Sequence, residues 1–144
     1  MAHAENDITI NRPAAEVYAF LADGINNTKW RPGVQRIALK SGAAGEPGAV
    51  YSQTLTGPKG RPLQGDYEIT DAEPGRLLAF QVVAGPARPA GRYQLTENDG
   101  STTVRFSLDL KLPLLMRVLD SLVTKTMESE VAQLTNLKGV IEAG

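Results

Sequence analysis

The chain has 144 residues, 42% of them hydrophobic and 22% charged, with fifteen Lys and Arg against sixteen Asp and Glu for a net charge of −1. That size and balance predict one globular domain, residues 1–144, with neither the basic surplus of a nucleic-acid binder nor an acidic tail. Cysteine is absent and His3 is the one histidine, so disulfides, thiolate catalysis and Cys-ligated metals are excluded, and Ser-His-Asp or His-rich zinc chemistry has almost nothing to build from.

The opening MAHAENDITI has no basic region ahead of an apolar run, so no signal peptide is read there. No stretch approaches about eighteen uninterrupted apolar residues. The expected setting is the cytoplasm, without stable membrane insertion.

Asp7-Ile8-Thr9-Ile10 alternates and predicts a short strand. After Asn11-Arg12-Pro13 the period changes: Ala14, Val17, Tyr18, Phe20 and Leu21 recur at helical spacing, which predicts a helix over Pro13–Ala22 that Asp23-Gly24 ends. A second helical turn follows at Ile25–Lys29, and Trp30-Arg31-Pro32-Gly33 breaks it. Strands are predicted at Val34–Lys40, Ala49–Thr56, Leu63–Thr70, Leu77–Ala84, Gly91–Glu97 and Thr102–Leu112, separated by Gly- and Pro-rich turns. Asn98-Asp99-Gly100 is a hairpin signal. The last strand has the clearest period of two, with Val104, Phe106, Leu108 and Leu110 set against Thr103, Arg105, Ser107 and Asp109. The last six strands, in a row and joined by short turns, make an antiparallel meander, and with the first strand the sheet has seven, each with one apolar face.

Residues 112–141 then form one long helical pattern opened by Pro113, roughly 40 Å at about 1.5 Å per residue. Leu112, Leu115, Met116, Leu119, Leu122, Val123, Thr126, Met127, Leu134, Leu137 and Ile141 share one face of the wheel. Glu130 falls within that stripe, where a carboxylate is costly unless paired, hydrogen-bonded or wet. Three placements are open to it: the interior side of the helix, an ion pair with Arg12, Arg31 or Arg36, or a solvated patch. The fold class that satisfies the whole pattern is α+β: a curved seven-stranded antiparallel sheet covered on one side by the long C-terminal helix, with a short helix pair after strand one.

Four segments carry a family resemblance. ITINRPAAEVYAFLAD resembles a strand, polar-Pro, Val-aromatic-x-x-Leu helix opening. Trp30-Arg31-Pro32-Gly33-Val34 resembles a Trp-x-Pro-x-Val passage into strand two. The run from Tyr67 through Glu73-Pro74-Gly75-Arg76-Leu77 resembles a strand, Glu-Pro, turn, Arg-Leu junction, and Asp99-Gly100-Ser101-Thr102-Thr103-Val104 resembles a Gly-x-Thr-x-Val hairpin. Together, in this order and over nearly the full length, they resemble the START-like, helix-grip (SRPBCC) superfamily, in its polyketide cyclase/dehydrase and lipid-transport branch. The resemblance implies a sheet that grips the long helix and encloses a cavity for a hydrophobic ligand.

Strand parity and the wheel nominate the lining of such a cavity: Trp30, Tyr67, Ile69, Phe80, Tyr93, Leu95, Phe106, Leu119, Val123, Thr126, Met127 and Glu130. Trp30 reads equally as a structural plug, and the tyrosines as core residues with hydrogen-bonded hydroxyls. Ser52 and Thr54 could face inward, but no histidine is at hand to activate a hydroxyl. Alternation assigns Asp66 and Glu68 to the solvated face, which makes metal binding improbable, and no cofactor is expected. The function expected is non-covalent binding of a small hydrophobic or amphipathic molecule, lipid- or polyketide-like. The alternative is a polyketide cyclase/dehydratase-type enzyme using the same cavity, and a third option is a homodimer contact through Leu114 and Val118.

Overall fold

Small and apolar residues on alternate positions carry the first strand well upstream of Asp7. In the computed structural model, which describes residues 2–85, 87–112, 118 and 120–144, β1 spans Ala2–Ile10 and buries Ala2, Ala4 and Ile10. Pro13, extended at φ −67°, caps α1 (Ala14–Ala22), whose buried face is Ala14, Val17, Tyr18 and Leu21. The Asp23 carboxylate accepts from the Ile25 N–H and turns the chain through a 3-10 segment into α2 (Asn27–Trp30).

The remaining strands are β2 (Val34–Ser41), β3 (Val50–Thr56), β4 (Pro62–Gln64), β5 (Tyr67–Glu73), β6 (Leu77–Val82), β7 (Ala90–Asn98) and β8 (Ser101–Leu110). They form one antiparallel sheet with β1, in the order β1-β8-β7-β6-β5-β3-β2, with β4 paired to β3 off that path. The β7–β8 hairpin turns at Asp99 (φ 50°) and Gly100 (φ 80°), the left-handed pair that the Asn-Asp-Gly signal anticipates. β1 lies at one end of the sheet and β2 at the other. The outer surface of β1 is charged: His3 meets both Glu5 and Asp109, and Arg105 bonds Asp7 at 2.9 Å.

The C-terminal segment covers the other face as two successive pieces, α3 (Asp120–Ala132) and α4 (Leu134–Ala143). At Gln133 the bonds tighten to i→i+3, from Gln133 N to Glu130 O and from Asn136 N to Gln133 O. Met127, Val131, Leu134, Leu137 and Ile141 are the buried stripe. Among the described residues, no helix is long and apolar enough to cross a membrane.

Four sequence expectations change. The strand expected over Leu63–Thr70 is two strands, so the sheet has eight rather than seven. The break has a cause: Gly65 N donates to Gln53 O, and the Asp66 carboxylate accepts from Gln53 N at 3.0 Å and from Gln64 Nε2 at 3.3 Å. Asp66 is therefore buried rather than solvated. On β3, Tyr51 and Gln53 face the core while Ser52 is exposed, opposite to the inward placement considered for Ser52 and Thr54. The buried helical stripe is narrower than expected: it takes in Val131 and leaves Leu122 64% exposed. Residues 113–117 and 119 lie outside the described residues, among them Pro113, Leu114, Leu115, Met116 and Leu119; Val118, from the expected homodimer contact, is 84% exposed.

Candidate functional site

The concave face is built from inward positions of neighbouring strands. Register places Tyr51 opposite Tyr67, Ile69 opposite Phe80, and Tyr93 opposite both Leu78 and Phe106. The rings meet in series. Tyr51 stacks on Tyr67 at 5.2 Å, Tyr67 tilts against Phe80 at 5.2 Å, and Tyr93 stacks on Phe106 at 4.6 Å. Gly91 lets Phe80 lie flat across β7, since a Cβ there would stand 2.2 Å from Phe80 Cζ. Trp30, at the end of α2, meets Tyr93 and Phe106 edge-on at 6.2 and 6.3 Å. Each such contact contributes about 0.5–1.5 kcal/mol beyond area burial.

Polar groups enter this aromatic wall at two points. Asn27 Nδ2 donates to Gln53 Oε1 and to the Tyr67 hydroxyl, both at 3.2 Å. Arg31 folds back into the interior with its side chain 7% exposed, and its Cζ stands 5.8 Å from the ring centroids of both Trp30 and Phe106. Arg31 Nη2 donates to Glu130 Oε2 at 2.6 Å; the Glu130 side chain is 19% exposed. Among the described residues, Arg31 Nε and Trp30 Nε1 are buried without a hydrogen-bond partner. Burial alone would pull Arg31 toward neutrality, but Tyr93 and the Glu130 carboxylate outweigh it and hold the guanidinium above its ordinary range. Burial pushes the Tyr93 hydroxyl up to about 12 and raises Tyr67 further, so both remain protonated donors.

The helix break is tied to the same place. Gln133 Oε1 accepts from Gly33 N at 3.0 Å, Gln133 Nε2 donates to Glu130 Oε2 at 3.2 Å, and Asn136 Nδ2 donates to Trp30 O at 3.1 Å. A cavity of about 10 Å³ lies between α1, α2 and the sheet, touched by Asn27, Arg31, Tyr67, Ile69, Phe80 and Tyr93, with Leu21, Ala22 and Leu78 completing the wall. That is room for about one water. Where the resemblance implies a roomy cavity, aromatic rings fill the space.

The nominated residues divide. Tyr67, Ile69, Phe80 and Tyr93 line the cavity. Trp30, Leu95, Phe106 and Met127 are buried in the surrounding core, and Val123 packs against it half-buried. Glu130 meets Arg31. Thr126 is a correction: it is exposed and its hydroxyl donates to Leu122 O, because the buried stripe begins at Met127. Leu119 lies outside the described residues. Sequence reasoning missed Asn27, Gln53 and Arg31 as interior groups. Arg31 carried a signal, lying between Trp30 and Pro32 at a chain reversal, and was named only as one of three partners for Glu130. Among the described residues, no group of three His, Asp or Glu could hold a metal.

A family model described as polyketide cyclase/dehydrase and lipid transport matches residues 1–142. No curated protein matches the sequence significantly. Solved structures match over nearly the whole chain. TTHA0849 from Thermus thermophilus has a TM-score of 0.79 at 19% identity, covering 98% of this chain and 97% of its own. A START superfamily protein from Mycobacterium smegmatis has 0.75 at 13%, with 99% of both chains covered. The Zhui aromatase/cyclase from Streptomyces sp. R1128 has 0.70 at 14%, covering 97% of this chain and 93% of its own. At these identities the likeness shows a shared fold and nothing finer.

Proposed function

The chain belongs to the polyketide cyclase/dehydrase and lipid transport family, and from that premise we propose that it binds a small hydrophobic or amphipathic molecule non-covalently between the sheet and the C-terminal helices. The observation that carries this reading is the buried Arg31 with its unpartnered Nε, set against aromatic faces beside a small cavity. A fully packed structural core gains little from an arginine with an unsatisfied donor, which costs about 1–3 kcal/mol. A binding site gains an anchor for a polar head group, with apolar walls for the rest of the ligand.

The enzyme alternative has less support. Arg31 could polarise a carbonyl, and Tyr67 and Tyr93 could donate hydrogen bonds to it. A cyclase or dehydratase also needs a base, and the carboxylate at this site, Glu130, is already committed to Arg31. The test is native mass spectrometry of the purified protein, together with titration of N-phenyl-1-naphthylamine, a neutral fluorescent probe. A co-purified small molecule, or saturable probe binding at micromolar levels, is the expected result. Absence of both overturns the reading.

A further inference from the structure

Nε and Nη2 of an arginine lie on one edge of the guanidinium and present two parallel donors, a fork that matches a planar oxyanion. In Arg31 this fork is half used. Nη2 bonds Glu130 Oε2 at 2.6 Å, and Nε is buried with no partner among the described residues. The guanidinium sits against the rings of Trp30 and Phe106 and borders the small cavity. Glu130 thus holds the place of an anion with one oxygen, where a ligand carboxylate could use two.

Displacing Glu130 has a mechanical consequence. Beyond Gln133, α4 is anchored by buried Leu134, Leu137 and Ile141, by Asn136 on Trp30 O, and by Glu142 accepting from Asn11 N at 2.8 Å. Gln133 itself is bonded to Gly33 N. On the other side of the break, α3 leaves Leu122 and Thr126 exposed, and among the described residues it is held by Val123, Met127 and Val131 against the core, by the bond from Asn6 Nδ2 to Val131 O, and by the Glu130–Arg31 pair. A cavity of about 10 Å³, walled by α1, α2, Arg31 and the sheet, holds about one water and admits a larger molecule only when its lining moves.

We propose that the Arg31 fork is a head-group site for small, flat, anionic molecules, that Glu130 occupies it in the ligand-free protein, and that an anion displacing Glu130 removes one of the contacts that hold α3 and so loosens it while α4 stays docked. This deepens the proposed binding function and rests on it. The ligand class follows from the chemistry of the site: an aromatic body for the ring-lined wall and a planar or sulfonate-like oxyanion for the fork.

Two probes with the same ring systems separate the head group from the apolar body: 8-anilinonaphthalene-1-sulfonate and the neutral N-phenyl-1-naphthylamine. Trp30, the one tryptophan in the chain, serves as the energy-transfer donor for both. Glu130→Gln keeps the shape and removes the competing charge, so it should tighten sulfonate binding about tenfold and shift the neutral probe by less than about twofold. In the wild type, saturation with the sulfonate should speed hydrogen–deuterium exchange in residues 120–129 and leave 134–143 unchanged. The inference is overturned if Glu130→Gln shifts both probes alike or neither, or if exchange in 120–129 does not respond. Should the neutral probe bind while those tests fail, this inference alone falls; should neither probe bind, the binding function falls with it.

Discussion

Arg31 and Glu130 set the energetics of the interior at the scale of single residues. A charge taken out of water needs its partner, and removing one member of a buried pair costs more than the pair contributes. Glu130→Leu should therefore destabilise the protein by about 3 kcal/mol, the low end for breaking a buried pair because Glu130 keeps some exposure. Adding Arg31→Met to that variant should restore stability to within about 1 kcal/mol of wild type. Urea unfolding of the two singles and the double checks this, and additive losses would contradict it. The pair was only partly legible in the sequence. Glu130 stood out because it broke an apolar stripe, but its partner lies 99 positions away, and spacing carries no information about a contact at that range. The tyrosines were more legible: Tyr67 and Tyr93 share parity with Ile69 and Leu95 on their own strands, and all four are buried.

Among the elements, the two C-terminal helices differ in what they bury. Leu137 is fully enclosed and Leu122 is mostly exposed. Leu137→Ala should cost about 2–5 kcal/mol, as large-to-small changes in a packed core do. Leu122→Ala should stay within about 0.5 kcal/mol. Paired urea midpoints decide between this and a uniformly gripped helix, for which the two losses would be similar. At about 100° per residue, Met127, Val131, Leu134, Leu137 and Ile141 share an arc of about 120°, and Leu122 and Thr126 lie outside it, so the expected stripe was too wide on that side. The strands show where periodicity succeeds and where it fails. β8 was readable from Val104, Phe106 and Leu108 because both its neighbours are plain antiparallel strands. The Leu63–Thr70 run alternates just as cleanly, yet it splits because the Asp66 side chain competes for the Gln53 amide.

For the molecule as a whole, the aromatic interior sets an alkaline limit. Tyr67 and Tyr93 are buried, and burial raises both hydroxyls above the ordinary value of 10. An acid whose folded value is raised is protonated in the native state while the unfolded chain releases its proton, so the unfolded state binds fewer protons and stability falls with pH. The contribution is intact below pH 10 and is lost as pH rises from 10 to about 12, where Tyr93 titrates in the native protein. The slope should reach up to about 1.4 kcal/mol per pH unit for each such tyrosine. Thermal unfolding followed from pH 8 upward, with tyrosinate absorbance recorded alongside, should show a falling midpoint, and phenolate from these two tyrosines appearing only above the ordinary tyrosine range or with unfolding. A midpoint unchanged to pH 11 would contradict the burial of these hydroxyls.

The place of β1 in the sheet bears on how the protein is made. Its sheet neighbour is β8, and the contact between His3 and Asp109 spans 106 positions. A ribosome adding about 5–20 residues per second leaves β1 waiting on the order of 5–20 s for that neighbour. Through that interval the strand is an unpaired template that a nascent neighbour could join. His3, Glu5 and Asp7 on its outer face, and small Ala2 and Ala4 on its inner one, make it a poor template for another chain. The charged ladder that later meets Asp109 and Arg105 thus guards the first strand before the last one arrives to complete it.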